Sequence, residues 1–144
     1  MIDNPRGALM AEKTQAFPWW LNVIVVLGAL LMATGGFIAL LQPSRLVSPH
    51  DEINGAVHIY AGYFASRALV LSIMLLVALL FRAKGLLNSL MLLTAFVQLM
   101  DLGIDWHEGR WSVIPGVVVV GILFFVVAAK LSGYPFWRGA VWRA

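Results

Sequence analysis

Long apolar runs broken by short polar connections organise this chain. Residues 21–41 carry no charge, and at about 1.5 Å per residue they cross a hydrocarbon core roughly 30 Å thick. Three further apolar runs follow, so the pattern predicts helices over about 18–42, 54–82, 85–106 and 112–131. The second run is long enough to tilt or to project beyond the membrane. The expected fold class is all-α, a four-helix transmembrane bundle, with residues 1–144 forming a single integral-membrane domain. No basic leader region precedes the first run and no small-x-small cleavage site follows it, so it is read as a retained membrane helix.

One polar group breaks the pattern. The run HIYAGYFASRALVLSIMLLVALLF contains Arg67, and an arginine at the bilayer centre costs about 3 kcal/mol or more unless it has a partner or a water path. A very short turn joins the second and third helices, which should therefore run antiparallel. Residues equidistant from that turn share a depth. With Lys84 as the midpoint, Arg67 and Asp101 each lie 17 positions away, and Tyr63 and Asp105 each lie 21 positions away. The i, i+4 spacing puts each helix's two residues on one face. Thr94, Gln98, Asp101 and Asp105 continue a polar stripe along the third helix, with His58, Tyr60, Gly62 and Ser66 near it on the second. At 1.5 Å per residue Arg67 lies roughly 22 Å from Arg82, about 8 Å beneath the outer edge of the core.

Composition agrees with a membrane chain: 61% of residues are hydrophobic and 12% charged, with a mean hydropathy of +0.87. The net charge of +3 is a topology signal, because seven Lys and Arg (Arg6, Lys13, Arg82, Lys84, Lys130, Arg138 and Arg143) flank one side. Only Arg45 and Arg110 flank the other, so the positive-inside rule places both termini in the cytoplasm. Acids and histidines gather on the outer side, which argues against nucleic-acid binding. All six tryptophans fall at expected interfaces, and the tail LSGYPFWRGAVWRA reads as a basic, aromatic segment on the inner surface. There are no cysteines, which excludes disulfides, thiolate catalysis and sulfur-ligated metals.

Two readings of the polar stripe compete. An Arg67–Asp101 pair can fix helix register, with Tyr63 and Gln98 satisfying leftover groups. Alternatively Arg67, Asp101, Asp105, Tyr63, Gln98 and His58 form an outward-facing pocket, made net acidic by the surplus Asp105. Such a pocket suits the polar end of a lipophilic ligand such as a quinone, sterol, terpenoid or lipid. It also suits a small intramembrane enzyme of isomerase, cyclase or epoxide-opening type. There Asp101 or Asp105 is the acid or base, Arg67 stabilises developing negative charge, and Tyr63 or His58 relays a proton. A third alternative is an outer-face metal site on His58, His107 and Asp105, with Asp101 and His50 as further ligands. No cofactor is expected. His50, Asp51 and Glu52 have a plainer role near the start of the second helix, whose dipole favours negative charge.

The remaining features read as packing. Gly28, Ala29, Ala33, Thr34, Gly35 and Gly36 let the first helix approach a neighbour closely. The fourth helix, VVVVGILFFVVAA, is apolar all round and is expected to face lipid or a partner subunit, with Pro115 in its first turn.

Three stretches together, LLQPSRLVSP, AGYFASRALVLSIMLL and QLMDLGIDWHEGR, give a layout that resembles the small four-helix bacterial membrane proteins grouped as DoxX-like, and related families of unknown function. The resemblance spans about residues 25–129. It implies the four-helix bundle, a bacterial inner-membrane location and the placement of Arg67 and the third-helix acids. Ala68 departs from the acid or amide expected beside the arginine. The functional expectation is a multi-pass membrane protein that binds a lipophile or serves as an accessory subunit of a larger membrane complex, with helix 4 as the contact.

Overall fold

A computed structural model describes residues 17–47 and 52–133. They form four α-helices: α1 (Trp19–Leu41), α2 (Gly55–Leu80), α3 (Lys84–His107) and α4 (Ile114–Ser132), with a short 3-10 turn at Pro43–Arg45 after α1. Their lengths of 23, 26, 24 and 19 residues correspond to about 28–39 Å. All four are long and apolar enough to cross a membrane. The helix ends differ from the sequence expectation by one or two residues.

Local chemistry sets those ends. The Asn54 side chain caps α2 by accepting the Val57 N–H at 3.2 Å, so an amide does what the sequence assigned to acids. Glu52 precedes the helix and no acid lies in its first turn, while His50 and Asp51 fall outside the described residues. At the other end of α2, the Ala83 and Arg82 amides bond the Ala78 and Leu79 carbonyls. This is a Schellman motif with Arg82 in its left-handed position, at φ 52°. Pro115 occupies the first turn of α4, and Gly133 closes that helix at φ 73°.

The bundle is two tight hairpins, α1 with α2 and α3 with α4, while α2 and α3 touch far less. Small residues explain the first pairing. At Gly36 an added Cβ would lie 3.3 Å from the Ala65 carbonyl oxygen, and the Ser72 hydroxyl donates to the Ala29 carbonyl at 2.8 Å. Between membrane helices such close approach supplies van der Waals attraction that lipid matches poorly.

The expectation that helix 4 is peripheral needs correcting. One face of α4 (Gly121, Phe124, Val127, Ala128, Leu131) is buried, and the Phe124 ring fills the space that a side chain at Gly28 would occupy. This contact ties the two hairpins through their centre. The opposite face, with Val119, Ile122 and Val126, is exposed and is the surface available to lipid. The core includes Leu75, Leu87, Met91 and Phe124, with Leu75, Leu87 and Met91 nearer the α2–α3 turn than Arg67 and Asp101 are.

Candidate functional site

Arg67 is the thirteenth of the 26 residues of α2, and Asp101 lies on α3 six residues before its end. The register argument from the short turn is met. Arg67 Nη2 donates to Asp101 Oδ1 at 3.1 Å and to Oδ2 at 3.2 Å. A single nitrogen serves both oxygens, unlike the parallel two-nitrogen fork of a bidentate pair. Nε and Nη1 make no hydrogen bond among the described residues. The guanidinium stands 5.6 Å from the centre of the Phe64 ring, a cation–π distance that holds its orientation.

Asp105 does not join this pair. It is buried, and its Oδ1 lies 3.2 Å from Arg110 Nη1. The cause is backbone geometry at the end of α3. Gly109 takes φ 69°, its amide bonds the Trp106 carbonyl, and the Arg110 amide bonds the Asp105 carbonyl at 2.8 Å. This second Schellman motif sets residue C″ over residue C3, a contact that is usually apolar and here is an ion pair. The net acidic pocket expected from a surplus Asp105 is therefore not formed. Arg110 is the residue that sequence reasoning missed, and the signal was present in the pattern D-x-x-x-G-R at positions 105–110.

Beside the two ion pairs lies a half-open cavity of about 750 Å³. α2 contributes Tyr60, Tyr63, Phe64 and Arg67, α3 contributes Gln98, Asp101 and Asp105, and Arg110, Val113 and Val117 close the far wall. A smaller pocket of about 170 Å³ sits further in, walled by all four helices from Gly28 to Val120. Phe64, Arg67, Gln98 and Asp101 line both spaces, so the Arg67–Asp101 pair stands between them. Thr94 lines the inner pocket and turns its hydroxyl to its own helix, donating to the Leu90 carbonyl at 2.8 Å.

Other expected members lie elsewhere. His58 is exposed and does not line the cavity. Nine residues separate it from Arg67, which at 100° per residue places it on the opposite face of α2. Tyr60, seven residues from Arg67, lines the cavity instead. The candidate metal ligands His58, His107 and Asp105 do not converge. His107 Nδ1 lies 3.3 Å from Glu108 Oε1 on the exposed turn, and no group of three His, Cys, Asp or Glu gathers among the described residues. Tyr63 is exposed and lines the cavity, whereas Ser66 does not line it and its hydroxyl donates to the Tyr63 carbonyl at 3.0 Å. The interface tryptophans Trp106 and Trp111 pack edge-on, ring centres 4.7 Å apart, over the turn that carries Arg110.

No family model, curated protein or solved structure matches the chain. Its function is therefore reasoned from the geometry of this site.

Proposed function

We propose that this multi-pass membrane protein binds a lipophilic ligand, whose polar group meets Arg67 in the cavity between α2 and α3. The observation that carries this reading is the cavity of about 750 Å³ against the Arg67–Asp101 pair. A pair retained only for helix register needs no such space beside it, since the contact between the two side chains is enough to fix the register. The volume falls within the roughly 300–1,000 Å³ of small-molecule sites, and a few polar groups on an apolar wall are their usual lining.

The acid–base enzyme reading is less well supported, since each of the two carboxylates is engaged by an arginine. In our reading the site opens to the outer leaflet, both termini lie in the cytoplasm and the protein resides in a bacterial inner membrane. The DoxX-like likeness stays a proposal about architecture. Membership of a larger complex rests on the exposed face of α4, whose residues suit lipid equally well, so ligand binding is the function we put forward.

Thermal unfolding of the purified protein tests it. Lipid extracted from the protein's own membrane raises Tm, as binding to the folded state requires; stabilisation reaches about 2.7 kcal/mol at a hundred times Kd. The double variant Arg67→Met/Asp101→Leu, which removes both charges together, loses that rise. An equal rise in wild type and variant contradicts the proposal.

A further inference from the structure

Resting on the ligand-binding reading, we infer that the ligand is an uncharged lipophile that presents a hydrogen-bond acceptor, a carbonyl or ester oxygen, to Arg67. Two features of the lining point to this class.

The first is charge balance. Among the described residues that line the cavity the charged ones are Arg67, Asp101, Asp105 and Arg110, and they pair one to one at 3.1 and 3.2 Å. A ligand with a net charge would enter an electroneutral site of low dielectric and lose its hydration without a free counter-charge. A carboxylate head would meet a guanidinium already neutralised by Asp101, with that anion close behind it. An ammonium head would meet carboxylates already covered by guanidinium groups.

The second is which partner of each pair the cavity sees. The Arg67 side chain is 43% exposed and that of Asp101 22%; Arg110 is 40% exposed and Asp105 11%. In both pairs the arginine side chain is the more exposed partner and the carboxylate the more buried one. The charged donors of the lining, Arg67 and Arg110, are thus more accessible than the charged acceptors, Asp101 and Asp105, and Nε and Nη1 of Arg67 make no hydrogen bond among the described residues. An uncharged acceptor matches donors without disturbing either pair, through a hydrogen bond assisted by the charge of the guanidinium. The inner pocket beyond Arg67 and Asp101, with Leu31, Met32 and Leu71 on its wall, takes an apolar substituent next to the acceptor.

Three probes that share a sixteen-carbon chain and differ at the head test this: methyl hexadecanoate, hexadecanoate and hexadecylamine, each titrated against the full chain in nanodiscs of one neutral lipid. Methyl hexadecanoate binds the wild type about tenfold more tightly than either charged probe, because a charged head loses its hydration without gaining a free counter-charge. It loses that advantage in Arg67→Met/Asp101→Leu, a variant chosen because it leaves no unpaired charge in the bundle. Binding of hexadecanoate or hexadecylamine equal to or tighter than the ester overturns the inference and leaves the ligand-binding reading standing. Failure of all three probes to bind the wild type better than the double variant overturns both.

Discussion

Arg67 and Asp101 lie 34 residues apart in the chain yet meet at 3.1 Å, each 17 positions from Lys84 at the turn between α2 and α3. Their contact bridges two hairpins that also meet through the packing of Phe124 at Gly28 and through the core around Leu75, Leu87 and Met91. The bridge stands at the edge of a cavity and is not sealed within the core. Its energetic role should differ accordingly from that of a dry ion pair.

A double-mutant cycle on Arg67→Met and Asp101→Leu, read by unfolding in mixed micelles, should give a coupling of about 1 kcal/mol, typical of a partly exposed pair. The 3–5 kcal/mol lost when one partner of a fully buried pair is removed would instead make the pair a structural clamp.

Asp105→Asn removes one of the two negative charges at the cavity and leaves Arg110 with an uncharged neighbour. The lining then carries a net positive charge, and affinity for an anionic lipophile such as hexadecanoate should rise by about tenfold. An unchanged head-group preference would show that the second ion pair plays no part in selection.

Arg82 adopts φ 52° at the end of α2, a backbone conformation costing an ordinary residue about 1 kcal/mol and glycine almost nothing. Arg82→Gly should therefore stabilise the bundle by roughly 0.5–1 kcal/mol. The midpoint of chemical unfolding reads this directly; a shift to lower stability would mean that the Arg82 side chain matters more than its backbone.

A Cβ at Gly28 would fall 2.5 Å from the Phe124 ring. Gly28→Val should cost roughly 1–3 kcal/mol through overpacking, and Phe124→Leu in the same chain should recover most of that loss. Thermal unfolding of the single and double variants measures both effects. If the double variant is no more stable than Gly28→Val alone, the two residues do not share this contact.

The four helices were legible because each apolar run is long enough to span a membrane and is bounded by Pro, Gly or charged residues. The Arg67–Asp101 contact was legible for a related reason: a three-residue turn leaves two antiparallel helices little freedom of register. The Asp105–Arg110 pair was hidden because counting depth from the wrong end of α3 treats Arg110 as a surface charge. Only the left-handed turn at Gly109 folds Arg110 back over Asp105. His58 was grouped with the stripe by proximity in sequence, although helical phase sets it opposite Arg67. The inward role of α4 was invisible in a segment apolar on every face, where periodicity cannot mark the side that carries Phe124. The polar stripe marked where a pocket could form, but its volume has no sequence signature, because it depends on how far apart α2 and α3 are held where long side chains bridge them.

Native mass spectrometry of the full chain, extracted gently from its own membrane, tests ligand binding most directly. The account predicts a small-molecule mass retained by the wild type and absent from Arg67→Met/Asp101→Leu, with the variant still folded. A wild type that carries no added mass, or a mass retained equally by the variant, would contradict it.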